Sequence, residues 1–327
     1  MAPRASSKAT DPSASLRRTE PRVAILLSTF NGAAFLREQL DSLLSQTHDN
    51  WVLYWRDDGS RDATLEVMRG FIATAGQGRC VQIVQPASHL GVTRSFLAML
   101  AAVAPTLAEA DTVAFADQDD VWLPQKLARG LAALDRMRPE SPALYCARQL
   151  LVDARLAPLG TSRGGPAAGG FPASLAQNVA TGCTVMLNCA AARLVAASRP
   201  APATLHDWWC YLMVTAAGGA MLQDDEPVVL YRQHAGNAIG SPGSLWRRGI
   251  AAVRRGPGVF MAVLRQHVAA LLAHPELLTE DARADLLAID AALQGGWGRR
   301  LAALRRAGFT RQTWPETIVF RTWFLLG

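Results

Sequence analysis

Nothing in this chain of 327 residues pairs cysteines into a disulfide framework or a zinc site. Its five cysteines (Cys80, Cys146, Cys183, Cys189 and Cys210) are odd in number, form no CxxC and show no metal-ligand spacing. They read as reduced, buried thiols of a cytosolic protein. Long apolar runs are missing as well. The best stretch, 179–198, carries Asn188 and Arg193 and falls short of the roughly 20 apolar residues that span a membrane; a strand and a short helix are expected there. The first 21 residues are rich in Ser, Arg and Pro with no apolar core, so they are neither a signal peptide nor a span and read as a mobile tail. There is no Walker loop and no G-x-S-x-G elbow, and Gly76-Gln77-Gly78 lacks the rest of a dinucleotide fingerprint. Internal repeats and low-complexity tracts are also absent.

What is present describes a folded chain with ample core. Half of the residues are hydrophobic and 18% are charged, which excludes intrinsic disorder and fibrous classes. Thirty-three Lys and Arg against 27 Asp and Glu leave a net charge of +6. That excess favours anions such as nucleotides, phosphates or acidic lipid head groups, without making a nucleic-acid binder. Nine Trp suit cores, sugar sites and membrane interfaces.

Short apolar runs alternate with helical periodicity over the first 120 residues. Strands are expected at 23–27, 51–56, 81–84 and 112–116, with helices from 36 to about 46, at 63–71 and at about 93–104 between them. The pattern is that of an α/β fold with a parallel or mostly parallel sheet and right-handed crossovers. Further strands are expected at 144–151, 180–187 and 227–232, a Gly-rich loop at 160–170 and a helix at 206–217. From Trp246 onward the periodicity is helical, with breaks at Gly256-Pro257-Gly258 and Gly295-Gly296. The chain therefore divides into a tail (1–21), an α/β domain (22–240) and a helical C-terminal region (241–327).

Three polar clusters fall at the C-terminal ends of expected strands: Ser28–Asn31, Asp57–Ser60 and Asp117–Asp120. Ligands of open α/β sheets sit at such ends. Asp117-Gln118-Asp119 places two carboxylates across a turn, suited to a magnesium or manganese ion and a diphosphate; acidic turns are also common with neither. Asp58 is either a solvated turn residue or an acceptor for the base or ribose of a nucleotide. Asp207, in His206-Asp207-Trp208-Trp209, is a helix-start carboxylate or a general base walled by indoles. His234 closes the polar stretch Tyr231-Arg232-Gln233-His234. Arg247, Arg248, Arg254 and Arg255, with Trp246 and Ile250, mark either a solvated helix face or one lying on an anionic membrane.

Taken in order, Ser28-Thr29-Phe30-Asn31, Gln39 to Thr47, Asp57-Asp58-Gly59-Ser60, Asp117-Gln118-Asp119-Asp120-Val121-Trp122, His206-Asp207-Trp208 and Tyr231 to His234 resemble family 2 glycosyltransferases. The match is to the rhamnosyltransferase-like branch of bacterial polysaccharide assembly and covers roughly residues 22 to 240. The resemblance implies a GT-A fold and inverting transfer from a nucleoside-diphosphate sugar to a glycan or lipid-linked acceptor, at the cytoplasmic membrane face. Ser28, Thr29, Phe30, Asp58, Arg94, Asp117 and Gln118 would then serve the donor. A divalent cation, Mg2+ or Mn2+, would sit on Asp119 and His234. Asp207 would be the base, with Trp208 and Trp209 on the acceptor side. Arg94 stands where the branch often has Asn. A sugar-1-phosphate nucleotidyltransferase is the alternative enzyme class, disfavoured because Ser28–Gly32 offers neither a Gly-rich run nor a Lys. A catalytically inactive carbohydrate-binding relative is the non-enzymatic alternative.

Overall fold

The computed structural model describes residues 20–84, 89–164, 170–234, 245–306 and 308–327, with backbone alone for 245–256. The tail at 1–19 and the side chains of Trp246, Arg247, Arg248, Ile250, Arg254 and Arg255 lie outside the described residues. One mixed sheet organises the chain. Its strands are β1 (Val23–Thr29), β2 (Trp51–Asp57), β3 (Cys80–Gln82), β4 (Thr112–Ala116), β5 (Val121–Trp122), β6 (Ala143–Val152), β7 (Pro158–Thr161), β8 (Met186–Asn188) and β9 (Ala220–Arg232). Their spatial order is β3-β2-β1-β4-β8-β6-β9-β5, with β7 paired to β6.

The first half is the parallel sheet expected from the sequence. β1 lies between β2 and β4 and runs parallel to both, and Val23 through Leu27 are fully buried. That is why the run is continuously aliphatic, since both faces are covered. Helices α1 (Leu36–Leu44), α2 (Thr64–Thr74) and α3 (Val92–Val103) make the crossovers. β4 and β6 each pair antiparallel with β8. β5 pairs antiparallel with β9, whereas β6 and β9 are parallel.

Helices α4 (Lys126–Leu134), α5 (Ala173–Ala176), α6 (Cys189–Ala196) and α7 (His206–Ala216) complete this part. The C-terminal helices are α8 (Leu245–Leu272), α9 (Glu280–Leu293), α10 (Trp297–Leu304) and α11 (Trp314–Leu326). They share a core with the sheet: Met261, Leu264 and Val268 of α8 and Phe320 and Phe324 of α11 join Trp209 and Met213 of α7.

Two element expectations are corrected. The break at Gly256-Pro257-Gly258 is absent, and α8 runs through Pro257. An interior proline costs about 3 kcal/mol, and Met261, Leu264, Val268 and Leu271, all buried, offset it at about 1.5–3 kcal/mol each. The strand expected at 180–187 is instead a single tight turn, Gly182–Thr184, followed by the short β8. The turn's backbone is committed elsewhere, to Asp207. The 160–170 loop begins as the end of β7, and 165–169 lie outside the described residues. All five cysteines are unpaired, and four of them are buried.

Candidate active site

Because β2, β1 and β4 are adjacent and parallel, the three polar clusters meet at one edge. Hydrogen bonds fasten them together. Gln118 clamps the Phe30 backbone from both sides, its Oε1 accepting from Phe30 N at 2.9 Å and its Nε2 donating to Phe30 O at 2.9 Å. Asn31 N donates to Ser60 Oγ at 2.9 Å and Arg61 N donates to Asn31 Oδ1 at 2.8 Å. The clamp needs Gly32, since a Cβ there would stand 2.1 Å from Gln118 Oε1.

The donor-side candidates divide between open and committed groups. Phe30 is exposed and its ring lies 4.4 Å from that of His89, leaving an aromatic surface open at the mouth. Ser28 shares a hydrogen bond of 2.6 Å with Ser95. Thr29 does not face the site with its side chain: it is fully buried and its hydroxyl donates to Asp57 Oδ1 at 3.0 Å. Asp58 is nearly buried, and its oxygens accept from Arg56 (2.5 Å), Leu90 N (2.7 Å) and Gly91 N (2.8 Å). Burial pushes its carboxyl up, but these donors outweigh burial and leave it below the usual range. Asp58 therefore anchors the start of α3. Arg94, in the first turn of that helix, is exposed and lines a cleft of about 430 Å³ against Pro200–Thr204.

The acidic cluster is set by β4, β5 and β9. The β5–β9 pairing carries His234 to Asp119, with His234 Nε2 2.8 Å from Asp119 Oδ2. Arg232, buried at the end of β9, holds the turn through Asp119 O (2.7 Å) and Ala154 O (2.6 Å), pairs with Glu38, and lies over the Phe35 ring at 4.5 Å. The His234 ring lies 4.7 Å from the same Phe35. Arg232 was quoted in the sequence motif without a role, and this fastening is what it does.

Asp117 is pushed up to about 7, by burial first and then by the charges of Asp119 and Asp207, with Lys126 acting against them. Asp207, some ninety residues further along the chain, thus shares an electrostatic neighbourhood with the Asp117–Asp119 turn. Ligand atoms of Asp117, Asp120 and Cys183 lie within 4.8 Å of one another. Asp120 and Cys183 are buried beside the buried Lys126, and burial, then the charges of Asp120 and Asp117, hold the thiol well above its ordinary value. A protonated thiol next to an amine is a poor cation ligand, so the outer pair, Asp119 and His234, is the better donor set. Carboxylate oxygen with imidazole nitrogen fits a manganese-like ion.

Asp207 sits in the first turn of α7, buried, with its carboxyl pushed up to about 6 by burial, against the opposing donors of Trp208 N, Gly182 N, the Asn178 amide and its own backbone N–H. Trp208 is half-buried, and its Nε1 donates to Ser174 O at 2.8 Å. Trp209, expected on the acceptor side, is instead fully buried in the core, its Nε1 donating to Ser198 Oγ at 2.8 Å. Adjacent helical positions point about 100° apart, so one indole of the pair turns inward.

Residues 24–148 match the family model for Glycosyl transferase family 2. Over that part of its length the chain is similar to family 2 glycosyltransferases. It is 25% identical over 228 residues to the dTDP-rhamnosyl transferase RfbG of Shigella flexneri, covering 66% of this chain and 74% of that one. Protein CgeD of Bacillus subtilis is 28% identical over 130 residues, 40% of this chain and 30% of that protein. The chain spans 30% to 40% of the length of CgeD and two further curated relatives. Among solved structures, residues 1–349 of S. aureus TarS with UDP-GlcNAc superpose with a TM-score of 0.55 at 16% identity, covering 84% of this chain and 72% of that one. A mannosyltransferase from Pyrobaculum calidifontis with GDP-Man and Mn2+ gives 0.50 at 18%, covering 94% and 88%. The fold is therefore GT-A, as the resemblance implied.

Proposed function

We propose that this chain is an inverting, cation-dependent glycosyltransferase that moves a sugar from a nucleoside-diphosphate donor to a hydroxyl of a glycan or lipid-linked acceptor. The observation that carries the reading is the neighbourhood that Asp117 and Asp119, just past the C-terminal end of β4, share with Asp207 in the first turn of α7, with His234 on Asp119. Rhamnose is the first sugar to test, because the relative RfbG is named a dTDP-rhamnosyl transferase.

In this reading Asp119 and His234 would hold a divalent cation, which when bound would supply positive charge beside the diphosphate; the mannosyltransferase neighbour was solved with Mn2+. Phe30 offers an aromatic face to the nucleobase, and Arg94 a cation to the phosphates. The acceptor oxygen forms its bond to the anomeric carbon from the face opposite the diphosphate. The bond from that carbon to the diphosphate oxygen breaks, and its electron pair leaves with the diphosphate. The acceptor hydroxyl proton passes to Asp207. A carboxyl held at about 6 is poised for this near neutral pH.

The test is transfer from a panel of nucleotide sugars with Mn2+. Asp207→Asn is expected to lose about 10²- to 10⁴-fold in kcat while binding donor normally. Asp119→Ala is expected to lose Mn2+-dependent donor binding by calorimetry. Turnover of Asp207→Asn close to wild type removes Asp207 as base.

Peripheral contact with an anionic membrane belongs to the same reading. Among the described residues no helix is long and apolar enough to cross a membrane. The C-terminal helices nevertheless expose Trp297, Leu301, Trp314, Ile318 and Leu326, which supports lying on a bilayer rather than crossing it.

A further inference from the structure

The turn that replaces the expected strand at 180–187 wraps the Asp207 carboxylate. Oδ1 accepts two hydrogen bonds, from Asn178 Nδ2 at 3.1 Å and from Trp208 N at 2.6 Å. Oδ2 accepts one, from Gly182 N at 2.9 Å. Each carboxylate oxygen offers two lone pairs, so Oδ1 is filled and Oδ2 has room for one more donor.

Asn178 is itself fixed. Its Oδ1 accepts from Ala180 N at 3.1 Å, so the amide nitrogen is the end presented to Asp207, and the orientation follows from the network rather than from choice. The neighbouring residue fastens the segment to the C-terminal region. Gln177 Nε2 donates to Gln312 Oε1 at 3.2 Å, and Gln312 N donates to Gln177 Oε1 at 3.0 Å. On the other side, Ser174 binds α7 through Trp208 Nε1 and through Thr215 Oγ1 at 2.9 Å. Gly182 cannot carry a side chain without displacing this arrangement, because a Cβ would lie 2.7 Å from His206 Nε2.

We propose that Asn178 is a positioning residue for Asp207: it ties off Oδ1 and so makes Oδ2 the atom that takes the acceptor hydroxyl proton. This rests on the reading of Asp207 as the base. The segment 174–182 then links the C-terminal helices to the reacting carboxylate.

The test compares wild type with Asn178→Ala and Asn178→Asp in the full chain with Mn2+ and the donor found for the wild type. Asn178→Asp keeps the volume but sets an acceptor against Oδ1, which a merely space-filling role would tolerate. Both variants are expected to lose ten- to a hundredfold in kcat with donor KM and calorimetric donor affinity unchanged. The acidic limb of kcat in Asn178→Ala is expected to move to higher pH, because a donor that favours the carboxylate is gone. Asp117, Asp119, Cys146, Cys210 and His206, titratable groups around Asp207 among the described residues, stay in place in every variant. Unchanged donor affinity shows that the variants are folded. Wild-type kcat and an unmoved pH limb in both variants, with Asp207→Asn inactive, overturn the positioning role alone. Full activity of Asp207→Asn overturns the base assignment and this proposal with it.

Discussion

As the proposed base, Asp207 would meet two opposed demands, ionisation to take a proton and burial in the first turn of α7. Burial raises its carboxyl to about 6 against N–H donors from Trp208 and Gly182 and the Asn178 amide. Between the unfolded value near 4 and about 6, the folded state binds the proton and the unfolded state does not. Protonation in that window therefore stabilises the fold, and this contribution is lost as pH rises through 6. Activity moves the other way, because a protonated Asp207 cannot accept the acceptor's proton. Transfer is thus expected to fall about tenfold per unit below pH 6 while thermal unfolding shows no matching loss of stability down to about pH 4. The carboxylates held below their ordinary value, Asp58, Asp62 and Asp224, withdraw their support only at lower pH. Parallel pH series of kcat and of the unfolding midpoint check this; a midpoint that collapses together with kcat at pH 5 contradicts it. His206 takes no part in the limb. Burial pushes it down to about 3, and its ring packs 4.3 Å from that of Phe96.

At the scale of elements, the donor edge depends on β1 and β4 presenting their C-terminal turns together. Gln118 joins them, and Gly32 gives Gln118 its space. Because the clash at position 32 is with the movable end of a side chain, Gly32→Ala is expected to expel Gln118 and free the Phe30 backbone while the sheet stays intact. Donor affinity should fall by several-fold, as in Gln118→Ala, with the unfolding midpoint within a few degrees of wild type; calorimetry and a thermal scan decide. These turns were legible in the sequence because buried parallel strands read as aliphatic runs, so the polar residues that end them stand out. The helix starting near His206 and the β1, β2 and β4 strands were legible for the same reason. Residues 178–184 were not. The apolar residues in and beside this stretch, Val179, Ala180 and Val185, read as a strand, and only the three-dimensional placement of Asp207 shows why Gly182 N–H leaves the ladder. The Trp208–Trp209 pair misled in another way, since composition cannot say which of two adjacent indoles faces the core. Pro257 misled because local propensity is outweighed by packing one to four turns further along α8, where Met261, Leu264, Val268 and Leu271 are buried.

Across the whole molecule, the C-terminal helices are joined to the sheet and to the segment beside Asp207 through one core and through the Gln177–Gln312 pair. Their outer side is apolar in a regular way. Trp314, Ile318, Thr322 and Leu326 recur every four residues along α11 and are all exposed, Trp314 by 71% and Leu326 by 67%. Trp297 and Leu301 repeat the spacing on α10, where Arg299 and Arg305 are also exposed. Spacing of four keeps side chains on one helical face. Indoles and leucines flanked by arginine suit the boundary between acyl chains and anionic head groups, each basic residue near the surface adding about 1 kcal/mol. The protein is therefore expected to float with vesicles of phosphatidylcholine and phosphatidylglycerol, and much less with phosphatidylcholine alone. Trp314→Glu with Ile318→Glu should reduce flotation severalfold without changing kcat on a water-soluble acceptor, because neither residue touches the Asp207 segment. Raising the salt from about 0.1 to about 1 M shortens the screening length from about 10 to about 3 Å, so the charge-dependent part should vanish and the apolar part remain. Equal recovery of wild type and the double variant in the vesicle-free fraction would leave this face without a lipid role and detach it from the acceptor's location.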